Sequence, residues 1–428
     1  MSKKLQDKRI YSKADLIRDL EGMGLKPTDK VMVHSSMKAI GEVEGGADTV
    51  VDALMDYFQQ GLVMVPTHTW KQMSEEYNIF DPETEPACVG IIPNLFRKRQ
   101  GVYRSLHPTH SIAAYGVGAK EYVQGEENLD TPCDPKGCFG RLKDIGAYIL
   151  LVGVTHARNT YIHSIEESFD VPERLTEKPT TFQVKLPDGL LKEVPMYRHF
   201  NSKEEHISDT FDKFMNGYYE LGVARKVTLG DAQCILCEAR KLFEATKRIL
   251  EREINCFIDR VEIPSEWQEI SADKVVSKLI DKGWTISFAE SCSGGMAAAR
   301  LVSVPDASKV FAASVVTYAN EAKVKYVDVN PQTIEHYGVV SEEVAMEMAR
   351  GVAKANEAQV GVGISGIAGP TGATATKPVG MVCFGFVVGD KAFSRTCYFG
   401  NVGRDVVRRA SVNYVYSVLE ETLDIIGN

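Results

Sequence analysis

No stretch of the 428-residue chain approaches the ~20 consecutive apolar residues of a membrane-spanning helix. The opening MSKKLQDKRIYSKADL lacks the apolar core of a secretory signal. Cysteine is present without a framework: nine residues, at 88, 133, 138, 234, 237, 256, 292, 383 and 397, an odd number with no disulfide spacing. These absences fit a reducing compartment, and the expectation is a soluble cytoplasmic protein. Cys234-x-x-Cys237 has no second such pair and no histidine nearby. In a segment that looks helical, it reads as two small buried residues rather than half a zinc site. HExxH is also missing. The chain has HxxEE at His163, so zinc hydrolysis at His156 and His163 would lack its usual ligand spacing, and no metal is expected. There is no basic excess either: the formal net charge of −9 argues against non-specific nucleic-acid binding and leans weakly toward cationic substrates. Internal repeats and low-complexity segments are absent.

What the chain does have is enough apolar content, 44%, for two or three domains with separate cores. Ser12–Leu25 has the pattern of an amphipathic helix, with Ser12 as N-cap and Asp15 at the capping-box position. Val31–His34 and Gly61–Val65 read as short buried strands, separated by a helix that Gly45-Gly46-Ala47-Asp48 opens and that runs through Phe58. Glu75–Glu85 and Asp130–Leu142 read as loops, Gly90–Arg99 as a helix and Ser111–Tyr115 as a strand. Phe182–Val194 alternates as a hairpin turning at Pro187-Asp188-Gly189, and Leu229–Glu253 reads as one long amphipathic helix. A polar, proline-containing stretch follows. It marks a linker over 263–270 between domains at 1–262 and 271–428. Beyond it, helix Ala272–Lys282 and strand Thr285–Ala289 open a second unit. Alternating strands and helices make the expected class α/β in both domains, with sites at strand ends.

The stretch ILLVGVTHARNTYIHSIEE, Ile149–Glu167, concentrates the chemistry of the first domain. A buried strand, Ile149–Val154, leads past Gly153 and His156 into a turn, where Asn159 or Thr160 can cap a helix. On that helix His163 precedes Glu166 by three positions and Glu167 by four, so a carboxylate one turn away can orient the imidazole as a general base. The alternative from spacing alone is a helix-surface ion pair.

Several motifs stand in order around this stretch: His34-Ser35-Ser36-Met37 with Gly45-Gly46-Ala47-Asp48, Pro66-Thr67-His68-Thr69-Trp70, and Arg104-Ser105-Leu106-His107-Pro108. Together with Gly153 through Glu167, they make residues 10–255 resemble the aminoglycoside 3-N-acetyltransferase family. That resemblance implies an acetyltransferase-type α/β domain that moves the acetyl group of acetyl-CoA to the 3-amino group of an aminoglycoside or a related amine. It implies His163 as base and Glu167 as its orienter, with Glu166 the second choice. It further implies that His34, Ser35, Ser36 and Thr67 contact the cofactor arm or thioester. Arg104 is either a ligand for a CoA phosphate or one end of a surface salt bridge, and His107 and His156 shape the substrate site.

In the second domain, Ala289-Glu290-Ser291-Cys292-Ser293-Gly294-Gly295 places Ser291 where a strand turns into a helix. Backbone amides and the helix dipole there favour an oxyanion or phosphate. Serine needs a base to become a nucleophile, and a desolvated lysine, Lys323, can serve, with Tyr318 as a proton relay. The alternative for Ser291 is a helix cap. The sequence Tyr318–Lys323, with Gly338-Val339-Val340-Ser341, Ser365–Gly372 and Lys377-Pro378-Val379-Gly380, makes residues 270–428 resemble the CinA-type C-terminal domain, a nicotinamide mononucleotide amidase family. That resemblance implies a smaller α/β domain with Ser293, Gly294, Gly295, Asn320, Gly366, Gly369, Gly372 and Arg404 around the nucleotide. Two departures stand out: Ser293 replaces the family's threonine, and its Gly-Asp-Arg is altered around Val402-Gly403-Arg404. The expectation is a bifunctional enzyme that uses acetyl-CoA, an aminoglycoside-like amine and nicotinamide mononucleotide, forms a homo-oligomer, and needs neither nucleic acid nor membrane. Two alternatives remain open: a non-catalytic oligomerisation or nucleotide-sensing second domain, and a biosynthetic amine as the acetyl acceptor.

Overall fold

The computed structural model describes residues 9–200, 207–257, 263, 269–311 and 313–427. The chain divides into two compact units, Met1–Met215 with Lys226–Ile263, and Asn216–Arg225 with Pro264–Asn428. Of the linker expected over 263–270, only Ile263, Glu269 and Ile270 are described; the rest lies outside the described residues. Among the described residues no helix is long and apolar enough to cross a membrane.

The first unit is built on a seven-stranded mixed sheet. At its centre Lys30–Ser35 lies parallel to Leu62–Pro66 on one side and to Tyr148–Val152 on the other. Ile112–Gly116 and Ala232–Glu238 extend the sheet antiparallel at its two flanks. Leu62–Pro66 is buried at every position and Tyr148–Val152 at all but the first. Covering both faces in this way accounts for their continuous apolar sequences. The chain leaves Lys30–Ser35 toward one neighbour and later returns on its other side. That reversal opens a crevice beyond the carboxyl ends of the three parallel strands. Gly153 makes the turn at that edge at φ 62°, where an added Cβ would sit 2.1 Å from that of Ala39.

Local signals held where short-range physics sets them. Helix Lys13–Gly22 begins at Ser12, whose hydroxyl accepts from the Asp15 amide while the Asp15 carboxylate accepts from the Ser12 amide. Thr180–Lys185 and Leu191–Met196 pair antiparallel as the expected hairpin. The long helix over Leu229–Glu253 is corrected: Ala232–Glu238 is a strand, and the helix runs only over Ala239–Leu250. A short apolar run such as AQCILCE suits a buried strand and a buried helix equally, and pairing with Tyr148–Val152 decides it. Cys234 and Cys237 are therefore buried on a strand, where an i, i+3 pair points to opposite faces.

In the second unit the five strands run in the order Val315–Val316, Ile286–Glu290, Val360–Gly366, Met381–Val388 and Lys391–Tyr398. The first three are parallel, and the last two continue antiparallel. Helix Glu342–Ala355 lies almost directly on this sheet because Gly361, Gly363 and Gly385 present no side chains to it. A Cβ on Gly363 would stand 2.1 Å from the Ala345 carbonyl oxygen. Gly363→Ala should therefore destabilise the protein by about 1–3 kcal/mol through overpacking. Denaturant unfolding monitored by circular dichroism would show the lowered midpoint, and an unchanged midpoint would contradict this packing.

Candidate active sites

Helix Tyr161–Ser168 carries His163 and both glutamates away from the turn that follows the Tyr148–Val152 strand. Thr160 offers no side-chain cap; its hydroxyl meets His68 Nε2 at 3.1 Å instead. The carboxylate that orients the base candidate is Glu166, not Glu167: His163 Nδ1 lies 2.7 Å from Glu166 Oε2. The choice is made by Arg174, whose Nε and Nη2 each donate to Glu166 at 2.9 Å, to Oε1 and Oε2 respectively. Both members of this fork are almost fully buried. Burial alone would push the Glu166 carboxyl up, but Arg174 and then His163 outweigh it and hold it below its ordinary range. With Nδ1 tied to Glu166, Nε2 is the ring nitrogen left for a substrate.

His163 lines a pocket of about 620 Å³ with His34, Ser35, His68, His110, Thr160 and His199 among its other walls. These residues follow the carboxyl ends of the parallel strands, as the crevice geometry requires, or come from neighbouring loops. The His163 ring stacks on His199 with centroids 4.1 Å apart, and His199 meets His110 edge-on at 5.0 Å. Burial keeps the surrounding imidazoles neutral. It pulls His34 down to about 3 and His199 to about 4, and it holds His68 and His110 well below their ordinary value. Of these histidines only His34 and His163 carry a site signal in the sequence. His68 lies within the Pro66–Trp70 motif with no role implied, and nothing local to His110 or His199 signals the pocket.

Six expectations are redirected by the geometry. Arg104 is no free phosphate ligand: its guanidinium donates to the carbonyls of Thr67, Pro82 and Glu85 and stacks over Phe80. It ties two loops together, and burial lowers it to about 9. Thr67 is fully buried with its hydroxyl on Ser111 and Arg104, so it does not line the pocket. Ser36 also lies outside the pocket lining, and its amide bonds the Val152 carbonyl. Glu167 turns the other way from His163: its Oε1 accepts from the Cys133 amide at 3.0 Å and stands 3.3 Å from His199 Nε2. Cys133 itself is a protonated thiol, pushed well up by burial and by the carboxylates around it. His107 Nδ1 accepts from the amides of Thr109 and His110, and its Nε2 faces the Thr131 carbonyl, so it shapes a turn. His156 is fully buried against Asn159, behind the pocket wall.

In the second unit Ser291 follows the Ile286–Glu290 strand, and Lys323 Nζ donates to its Oγ at 3.2 Å. Lys323 also donates to the Thr317 carbonyl at 2.7 Å, and burial lowers its ammonium below the usual lysine value. Ser291 is not the helix cap. The buried Glu290 carboxylate takes the amides of Gly295, Ala297 and Ala298 that open helix Met296–Val302. Those three amides are therefore not open to an anion. Cys292, next in sequence, is buried with its thiol pushed up to about 12, and the Lys323 hydrogen bond goes to Ser291. Tyr318 is exposed, and its hydroxyl accepts from Arg404 rather than linking Ser291 to Lys323, so no relay is formed. Arg404 also donates to the Gly369 carbonyl, and Arg408 to that of Ser293. Gly294 and Gly295 turn at positive φ, as do Gly369 and Gly372, while Gly366 closes the neighbouring strand. Asn320 is exposed at the start of the Lys323 helix. The buried hydroxyls of Ser293 and Thr317 have no hydrogen-bond partner among the described residues.

The first unit, a mixed α/β sheet with a carboxylate-held histidine at its crevice, is an acyltransferase-type domain by its family match. Residues 32–251 match the aminoglycoside 3-N-acetyltransferase family, and the chain belongs to that family. Residues 268–423 match the CinA C-terminal domain, so the chain is a fusion of the two. A histidine-to-alanine variant of aminoglycoside acetyltransferase AAC(3)-IVa, solved in complex with a gentamicin, is similar over 61% of this chain and 95% of its own, at 25% identity and a TM-score of 0.52. The fold is also that of AAC-IIIb, solved as a binary complex with CoASH, at 22% identity and a TM-score of 0.50 over 57% of this chain and 98% of that one. A relative from Alkaliphilus oremlandii that carries the competence-damage inducible name is 45% identical over 152 residues, 35% of this chain and 37% of its own length. A CinA-like protein of Kosmotoga olearia is 44% identical over 145 residues, covering 34% and 35%. The chain thus spans little more than a third of these relatives.

Arg174→Met should cost about 3–5 kcal/mol, because it leaves the Glu166 charge buried without its partner. Adding Glu166→Gln to that variant should recover part of the loss. Equilibrium unfolding of the single and double variants measures both, and an Arg174→Met protein as stable as the parent would contradict the buried pair.

Proposed function

We propose that the first unit transfers the acetyl group of acetyl-CoA to an amine of the aminoglycoside type, with His163 as general base and Glu166 as its positioning residue. The observation that carries this reading is the His163–Glu166–Arg174 chain at the wall of the cleft. Family membership supports the acetyl donor, and the likeness to a gentamicin-bound enzyme supports the acceptor class. An amine at neutral pH is mostly protonated and cannot attack a thioester until it loses a proton. In this mechanism His163 Nε2 takes that proton, and the amine nitrogen bonds to the thioester carbon. The carbon–sulfur bond then breaks, and the CoA thiolate leaves with a proton. The developing imidazolium is stabilised by Glu166, which Arg174 holds ionised. His163→Ala should lower thiol release from acetyl-CoA and an aminoglycoside by about 10²–10⁴-fold. Glu166→Gln should lower it much more than Glu167→Gln. Equal losses in the two glutamine variants, or no turnover with any aminoglycoside or small amine, would defeat the assignment.

For the second unit we propose hydrolysis of the amide of nicotinamide mononucleotide, with Ser291 as nucleophile and Lys323 as its base. The 3.2 Å contact and the lowered lysine support it. Ser291 Oγ adds to the amide carbon as Lys323 takes its proton. Ammonia departs with a proton, and water then cleaves the acyl-serine to give nicotinate mononucleotide. The base must be neutral, so ammonia release should rise with pH up to the Lys323 value, which lies below 10.5. Lys323→Arg, permanently charged, should abolish that rise together with the activity. A wild-type protein that binds the nucleotide without hydrolysing it would leave a sensing module instead.

A further inference from the structure

Beside the His163 site, and outside its hydrogen-bond chain, lies a second cluster. The Cys133 sulfur, a carboxylate oxygen of Glu167 and a ring nitrogen of His199 stand within 4.8 Å of one another. The three come from separate stretches: the irregular loop after Asp130, the His163 helix, and the segment just past the Leu191–Met196 strand. The Glu167 side chain is only 5% exposed. Its Oε1 is engaged by the Cys133 amide and His199, while its Oε2 is buried with no hydrogen-bond partner among the described residues. A buried carboxylate oxygen without a donor is costly and calls for a partner that completes it. Arg174, the nearby cation, is committed to Glu166.

We propose that Cys133, Glu167 and His199 form a three-ligand site for a divalent late first-row metal ion, with zinc the best match. Thiolate, imidazole and carboxylate are the donors zinc takes, and three protein ligands with a fourth position open is the pattern of zinc sites that bind an exogenous group. Zinc–ligand bonds of about 2.0–2.3 Å place tetrahedral ligand atoms roughly 3.3–3.8 Å apart, so the present cluster needs only a modest contraction. Of the three, His199 lines the cleft, so the site borders it. The Cys133 thiol loses its proton on binding, so affinity rises with pH. The adjacent glutamates then divide two tasks: Glu166 positions the base, and Glu167 holds the ion. The absence of HExxH speaks only to one zinc arrangement, in which the ligands share a helix.

The test is metal binding by the full-length protein after removal of metal with a chelator. Titration with Co²⁺ should saturate at about one ion per chain, with intense visible bands of tetrahedral coordination and a thiolate-to-cobalt charge-transfer band, and Zn²⁺ should displace it. Cys133→Ser should remove the charge-transfer band, whereas Cys88→Ser should leave it. Glu167→Gln, nearly isosteric and compatible with the fold, should weaken Zn²⁺ binding about tenfold or more. An unchanged cobalt spectrum in Cys133→Ser, unchanged zinc affinity in Glu167→Gln, or no stoichiometric binding by the parent would overturn the proposal. Each readout is binding rather than turnover, so acetyl transfer stands or falls separately.

Discussion

The first site depends on one charge kept where water cannot reach it. Glu166 is buried, and a carboxylate in that position would ordinarily take up a proton or exact a large desolvation cost. The Arg174 fork prevents this by supplying two parallel bonds and a compensating charge. An ionised Glu166 then holds His163 through Nδ1, so the imidazole presents a single nitrogen in one orientation. Without Arg174 the same helix would display a histidine next to a neutral acid, which is a poorer acceptor for an imidazole N–H. The orientation of His163 is therefore fixed from outside its own helix.

A related logic runs through the second unit, with the roles of the acid and the hydroxyl exchanged. Glu290, rather than serine, satisfies the helix amides, and this frees Ser291 from the task its residue type most often performs at such a position. The lysine beside it gains its chemistry from burial: a desolvated ammonium releases its proton more readily, and a carbonyl of Thr317 fixes its direction. In both units the decisive residue is a buried carboxylate whose sequence context gives no hint of its partner.

This explains which parts were legible in the sequence. The capping box at Ser12 and Asp15, the strands bounded by glycine and the His163 helix depend on neighbours a few residues away, and they could be read directly. The choice between Glu166 and Glu167 could not, because positions three and four beyond His163 share a helix face and Arg174 approaches from a later loop. Arg104 was misleading for a similar reason. Its residue type suits phosphate, but the carbonyls of Pro82 and Glu85, distant in sequence, had already claimed its donors. The strand Ala232–Glu238 was hidden because its apolar run carries no period of its own.

The imidazoles that wall the first cleft bear on what it can accept. Were they protonated, a cluster of like charges would repel a cationic amine over the few ångströms that separate them from it. For His34, His68, His110 and His199 burial works against that, pulling His34 to about 3 and His199 to about 4 and holding the other two well below their ordinary value. The imidazole part of the wall is therefore polar without being charged, and the cations lining the cleft are Arg158, paired with Asp209, and Arg198, which donates to the carbonyls of Met73 and Trp70. Neutral imidazoles can accept hydrogen bonds from ammonium and hydroxyl groups alike. An amine entering beside these histidines meets neutral rings, and Nε2 of His163 is the nitrogen that its hydrogen bond to Glu166 leaves facing it.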